Sequence, residues 1–229
     1  MSELFSIQLQ NRQQQGRDGV WLDLPTTTEQ VQAALRQIGI SSDNPQGLFI
    51  SGYFAEEEKR FAISYNMVLA SNVDELNFLA SRLETLSTGE RAELNAALQA
   101  PQSELSSIGR ITDFPENVDY YVHLPDVRGP AQLGDYYLNR SGMVDMPEEW
   151  KGGIDTAQFG RYVAQQEQGA FTQYGYLVKS GDAWQKVHEG QPVPEEYRVL
   201  SFPAPEVLRD SANIPPPVQP ETEPQKVIP

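Results

Sequence analysis

The sequence predicts an α+β protein made of three small units followed by a proline-rich tail. Short segments in which apolar and polar residues alternate indicate strands, and longer segments with apolar residues at helical spacing indicate helices. After residue 190, prolines are frequent and no periodic apolar pattern continues. The predicted divisions are residues 1–72 (α+β), 73–112 (helical), 113–190 (α+β) and 191–229 (tail).

The first unit is predicted to contain one helix among three strands. The strands are VWLDL, GLFISGYF and RFAISYN, and the unit ends near Asn72. Between the first two, Thr26 and Glu29 have the spacing of a capping box, in which each side chain accepts a hydrogen bond from the other residue's backbone. The apolar residues from Val31 to Ile38 then fall on one helical face.

The second unit is predicted to be a pair of short helices. Leucines from Leu76 to Leu86 recur at helical spacing, and Ser87 with Glu90 forms a second capping box before another amphipathic segment. Pro101 ends that helix because proline cannot donate a backbone hydrogen bond. The segment SELSSIG is a candidate third helix.

The third unit is predicted to begin with the strand NVDYYVHL, with Val118, Tyr120, Val122 and Leu124 on its apolar face. Helices are expected over residues 130–139 and 156–166, and a hairpin between AFTQYGYLVK and AWQKVHE. The tail is predicted to be largely extended or disordered, with PEEYRVLSFP as a candidate strand that packs back.

Composition and charge narrow the functional classes. The 32 acidic and 17 basic residues give a net charge of -15, which disfavours direct binding to nucleic acid or to an anionic membrane and favours basic partners. The chain has no cysteine, a polar N-terminal segment and no apolar stretch long enough to span a membrane. A cytoplasmic location is therefore predicted. Residues 1–150 carry 22 acids and 10 bases, so most of the negative charge lies there.

The usual catalytic patterns are weak or missing. His123 and His188 lack metal-ligand spacing, and no GxSxG sequence is present to expose a nucleophilic serine. Asp135, Glu149 and Lys151 faintly resemble the acid and lysine set of a metal-dependent nuclease, but such an enzyme must also bind DNA. The run AEEEKR is more typical of a solvated turn than of a metal site. No catalytic residue, metal site or cofactor is predicted.

The acids are the best remaining candidates for function. B-DNA presents roughly one negative charge per 1.7 Å of helix axis, and spread carboxylates can approximate that field. Three other interpretations stay open at this point: a charged surface that only maintains solubility, an interaction module that recruits a partner through its proline-rich tail, and an enzyme that uses paired carboxylates.

Four segments, taken in order, resemble one known family. They are GVWLDLP, DELNFLASRLETLSTGERAELNAAL, LGDYYLNRSG and MPEEWKGGIDTAQFGRYVAQQEQGAFTQYGYLV. Their order and spacing are similar to those of the ArdA antirestriction proteins. The resemblance implies an elongated three-domain homodimer that inhibits type I restriction-modification enzymes by mimicking DNA. It implies no catalysis and no cofactor.

The resemblance also suggests which residues act. The expected DNA-mimic surface consists of Asp74, Glu75, Glu84, Glu90, Glu93, Asp113, Glu116, Asp119, Asp126, Asp135, Asp145, Glu148 and Glu149. Trp150, Ile154, Phe159 and Tyr162 are expected in the core or at a dimer seam. Because residues 1–190 have a net charge of only -12, another nucleic-acid-directed defence system is an alternative target.

Overall fold

The computed structural model describes residues 3–14, 18–41, 46–101 and 103–200, and they form an α+β fold. Helices and two small antiparallel sheets alternate along the chain, which confirms the predicted fold class. Most of the proline-rich tail, from residue 201, lies outside the described residues. In the part of the chain that the structure describes, no helix has both the length and the apolar character needed to span a membrane.

The first sheet contains β1 (Phe5–Asn11), β2 (Val20–Leu24) and β3 (Leu48–Phe54) in the order β2-β1-β3. β2 and β3 were predicted, whereas the central strand β1 was not. Its sequence FSIQLQN alternates clearly: Phe5, Ile7 and Leu9 are buried, and the residues between them face outward. Both neighbours pair with β1 in antiparallel register.

The first helix, α1 (Thr28–Gln37), begins one residue later than predicted. Thr27 and Gln30 form its capping box, in place of Thr26 and Glu29. Thr26 is buried instead, where its backbone N–H donates to Oδ1 of Asn77 at 2.7 Å. This contact takes Thr26 out of the capping position.

The predicted strand RFAISYN is wrong. A short 3-10 helix, Glu57–Lys59, is followed by irregular backbone and then by α2 (Tyr65–Leu69). The amide of Asn95 replaces a strand partner here: its Oδ1 accepts from Ala62 N–H at 2.7 Å and its Nδ2 donates to the Arg60 carbonyl at 3.3 Å.

The helical segment contains α3 (Val73–Glu84), α4 (Thr88–Gln99) and α5 (Ile108–Thr112). The capping box of Ser87 and Glu90 is confirmed, and Asn72 with Glu75 forms another at the start of α3. The candidate helix SELSSIG becomes helical only at Ile108, because Ser107 is the N-cap of α5.

The second sheet contains β4 (Tyr121–Leu124), β5 (Ala170–Thr172) and β6 (Gly175–Lys179) in the order β4-β6-β5. Two predictions fail here. β4 begins only at Tyr121 and is preceded by a 3-10 helix, so Tyr121 is buried and Val122 is 45% exposed. The hairpin joins β5 to β6 within AFTQYGYLVK, and AWQKVHE contains no strand.

Three helices accompany the second sheet: α6 (Pro130–Asn139), α7 (Glu148–Lys151) and α8 (Thr156–Glu167). α6 and α8 cross at two glycines. A Cβ on Gly134 would overlap the Thr156 carbonyl, and one on Gly160 would overlap the Pro130 carbonyl. These positions explain the glycines in LGDYY and FGRY, since any side chain would separate the helices.

A large apolar core runs through most of the chain, with a smaller one beside it. The large core includes residues from Leu4 in the first sheet to Leu177 in the second, and also Val199. The smaller contains Val127, Leu133 and Tyr176 between α6 and β6. The large core draws on all three predicted units, and the proposed domain boundaries stay a prediction.

Residues 185–200, called here the C-terminal strap, return across α3 and α5. The strap contains a 3-10 helix, Glu195–Tyr197, and buries Val199. The described part of PEEYRVLSFP therefore packs back, but not as a strand.

Candidate functional site

The predicted acidic surface divides into exposed, partly buried and buried side chains. Six of its acids are exposed: Glu75, Asp119, Asp126, Asp145, Glu148 and Glu149. Six more are partly buried: Asp74, Glu84, Glu90, Glu93, Glu116 and Asp135. Asp113 is fully buried. The exposed acids concentrate between residues 119 and 149.

The assignment of Asp113 to the surface is wrong. Its two carboxylate oxygens accept from the backbone N–H groups of His188 at 2.6 Å and Glu189 at 3.2 Å. A buried carboxylate needs such donors to compensate for its lost hydration. Asp113 therefore holds the C-terminal strap in place. Asn117 also binds the strap. Its side-chain amide makes two hydrogen bonds to the backbone of Gln185: Nδ2 donates to the Gln185 carbonyl at 3.0 Å, and Oδ1 accepts from the Gln185 N–H at 2.7 Å.

Asp74 also binds the strap. Its Oδ1 accepts from the backbone N–H groups of Val199 at 2.7 Å and Leu200 at 2.8 Å. One helical turn further along, Asn77 Nδ2 donates to the Tyr197 carbonyl at 3.0 Å. The aromatic rings of Phe78 and Tyr197 lie 4.7 Å apart. The sequence offers no local signal for these contacts, because the partners are more than a hundred residues apart.

Among the described residues, ion pairs join Glu116, Asp135 and Glu148 to basic partners. Glu116 pairs with Arg82. Asp135 pairs with Arg140 at 2.6 Å, and Glu148 with Lys151 at 2.6 Å. The Asp135–Arg140 and Glu148–Lys151 pairs each join residues that are close in sequence, on or next to a single helix. Each partner cancels part of the field that its acid would present to a basic groove.

Glu75 and Glu90 lie in the first turns of α3 and α4, where each side chain completes a capping box. Glu75 Oε2 accepts from Asn72 N–H at 3.5 Å, and Glu90 Oε2 accepts from Ser87 N–H at 2.7 Å. Hydrogen bonds from Ser87 lower the pKa of Glu90 below its usual value. Glu90 therefore remains ionised at neutral pH, and its charge also suits the positive end of the helix dipole.

Glu93 is electrostatically different. Burial is the main cause that raises its pKa to about 8, and the negative charges of Glu90 and Asp119 add to the effect. Its Oε1 atom is buried and has no hydrogen-bond partner among the residues that the structure describes. Glu93 is therefore largely protonated at pH 7 and contributes little negative charge to the surface.

The four aromatic and apolar residues expected in the core or at a dimer seam are not in the core. Trp150 is 66% exposed and Tyr162 is 59% exposed. Ile154 and Phe159 are partly buried. A role for these residues between two protomers stays a prediction.

The two histidines make structural contacts. His123 Nε2 lies 2.9 Å from the Tyr174 carbonyl oxygen. His188 packs edge-on against Phe78, with ring centroids 5.0 Å apart. Within the described ranges, no three acidic or histidine side chains are arranged to hold a metal ion.

A groove of about 670 Å³ lies between α2, α3, α5 and the strap. It is lined by Glu75, His188 and Glu189 among apolar residues. Arg110 lowers the pKa of Glu189 through a direct hydrogen bond, so this carboxylate is ionised and neutralised by its partner. Glu93, the acid with the raised pKa, does not line the groove.

Comparison with protein families finds a match to the antirestriction protein (ArdA) model over residues 15–178. A comparison with curated protein sequences finds no match. The matched residues include β2, the crossing glycines of α6 and α8, and all thirteen predicted surface acids, and they stop before the C-terminal strap. Because the match covers well over half of the sequence, the chain belongs to the ArdA family of antirestriction proteins.

Proposed function

We propose that this protein inhibits type I restriction-modification enzymes by occupying their DNA-binding groove with an acidic surface that imitates DNA. The family match carries the antirestriction part of the proposal. The exposed acids between residues 119 and 149 support the mimicry part, because they provide negative charge that a basic groove can bind.

The most useful acids for this purpose are exposed and have no basic partner. Asp119, Asp126, Asp145 and Glu149 meet both conditions, since no ion pair involves them within the described part of the chain. Such carboxylates can neutralise Lys and Arg side chains of the enzyme in the way that phosphates do. Their effect should decrease as salt increases.

A competition assay tests the proposal. A purified type I methyltransferase core bound to labelled DNA is titrated with this protein at 50 and 200 mM salt. Displacement of DNA that weakens at the higher salt is expected. The variant Asp119→Asn/Asp126→Asn/Asp145→Asn/Glu149→Gln should displace DNA about tenfold less well at 50 mM salt, with an unchanged melting temperature.

A matched charge control uses acids outside the proposed surface. Asp18→Asn/Glu29→Gln/Glu195→Gln/Glu196→Gln removes the same number of charges from exposed positions. If both variants lose the same potency, net charge and not the proposed surface controls binding. If wild-type protein in excess does not displace DNA at either salt concentration, the target is a different system.

A further inference from the structure

The outward face of the first sheet carries an exposed aromatic pair. Trp21 on β2 is 50% exposed and Phe54 at the end of β3 is 53% exposed. Their rings meet edge to face, with centroids 6.5 Å apart. Single exposed apolar side chains are common, but two large aromatic residues in contact on an open sheet face form a patch of the kind used in protein interfaces.

The strand register places the indole across the sheet. Trp21 pairs with Gln8 on β1, and Gln8 pairs on its other side with Gly52 on β3. A Cβ on Gly52 would lie 3.0 Å from Cη2 of Trp21, so the missing side chain leaves room for the ring. The indole thus packs over the bare backbone of Gly52 and against Phe54, and such contacts reduce the entropy cost of an interface by limiting its motion before a partner binds.

Acids surround this pair. In the next row of the sheet, Asp23 and Phe54 flank Ser6, and Ser6 Oγ donates to Asp23 Oδ1 at 2.6 Å. Glu3, Asp23, Phe54 and Glu56 line one hollow of about 200 Å³. The acidic run continues through exposed side chains directly after β3. The aromatic-acidic face is defined here as Glu3, Trp21, Asp23, Phe54, Glu56, Glu57 and Glu58.

Simpler explanations cover only part of this arrangement. An aromatic ring that covers a glycine is a known way to stabilise a sheet, and it accounts for Trp21 but not for the exposure of Phe54. A solvated charged turn accounts for the acids but not for the aromatic residues beside them. Only Lys59 among the described residues forms an ion pair with an acid of this face, at 3.1 Å from Glu56.

We propose that the aromatic-acidic face binds a surface rich in Lys and Arg on the type I restriction-modification complex, as a second contact outside the acids of residues 74–149. This inference rests on the proposed function. Arg and Lys side chains can stack on Trp21 and pair with the surrounding carboxylates, so this face is complementary to the basic walls of a DNA-binding groove.

Two variants test the face through its two kinds of chemistry. In the competition assay, Trp21→Ala/Phe54→Ala should displace DNA at least about tenfold less well, because exposed aromatic residues are frequent interface hot spots. Glu57→Gln/Glu58→Gln should lose about threefold at 50 mM salt and less at 200 mM, as expected for charges at the edge of an interface.

Each variant has a matched control. Val187→Ala removes an exposed apolar side chain elsewhere, and Glu195→Gln/Glu196→Gln removes two exposed acids from another 3-10 helix. Both controls should match wild-type potency. Melting temperatures identify any variant that is unfolded, and Phe54→Ala alone replaces the double variant if removal of Trp21 destabilises the sheet.

The outcomes separate the two proposals. If wild-type protein displaces DNA and folded Phe54→Ala and Glu57→Gln/Glu58→Gln do so equally well, this face is not a contact and the proposed function stands. If wild-type protein fails to displace DNA, the proposed function is overturned together with the partner assigned to this face.

Discussion

Asp113 and Asp119 belong to the same short stretch of chain, yet their environments are opposite. Asp113 is fully buried and accepts two backbone N–H groups of the C-terminal strap. Asp119 is exposed and lies near other acids. The acids that bind the strap contribute to folding, and the acids of residues 119–149 are available to a partner. The number of acids in the sequence therefore overstates the charge that this surface can present.

The largest expected effect is a loss of stability when the buried Asp113 is replaced. Asp113→Ala leaves the N–H groups of His188 and Glu189 without their acceptor, so we expect a loss of about 2 to 4 kcal/mol in the free energy of unfolding. Urea denaturation measures this change. Asp126→Ala, at an exposed position, should change stability by less than about 0.5 kcal/mol. Equal effects of the two variants would contradict the distinction.

A smaller loss is expected where the strap ends. Asp74→Ala removes the acceptor of the Val199 and Leu200 N–H groups at a partly exposed site, and about 1 to 2 kcal/mol should be lost. Hydrogen exchange at those two amides should accelerate by roughly tenfold or more, because strap opening becomes easier. Unchanged exchange at both amides would show that the strap does not depend on this carboxylate.

Removal of the salt bridge between Asp135 and Arg140 should increase the negative charge that the exposed acidic surface presents. Arg140→Gln removes the partner that lowers the pKa of Asp135 and cancels its field. If Asp135 faces the enzyme, DNA displacement at 50 mM salt should improve by roughly twofold, while stability changes by less than about 1 kcal/mol. If Arg140→Gln and wild-type protein displace DNA equally well at each of the two salt concentrations, Asp135 lies outside the interface.

Glu93 should give an effect on stability that depends on pH. Its pKa is about 8 in the folded protein against 4.5 as the ordinary value, so its contribution to stability is complete below pH 4.5 and is lost as pH rises through 8. Glu93→Gln cannot ionise and should match wild type near pH 4.5, but become steadily more stable than wild type as pH rises from 4.5 through 8, because only the wild-type protein must keep this carboxyl protonated to remain folded. Thermal melts at several pH values measure this difference, and an offset that is constant with pH would contradict it.

Local signals were predictable from the sequence, and contacts between distant segments were not. The capping box of Ser87 and Glu90 depends on two residues three positions apart, and it forms as expected. The burial of Asp113 depends on His188, 75 residues later, which no local pattern reveals. β1 was missed although it has a local signal, because FSIQLQN alternates apolar and polar residues as a strand with one solvated face does. The apolar face of β4 was misassigned because a 3-10 helix displaces the strand by several residues.

The glycines that bring α6 and α8 together also limit how this part of the molecule can move. Since the two backbones touch at Gly134 and Gly160, sliding or rotation of one helix along the other would disturb a close-packed contact. This contact restricts the relative movement of the segments that carry Asp135 on α6 and Tyr162 on α8. If a partner binds this surface, the free-energy cost of ordering the two helices on binding should be small, because they are already packed together.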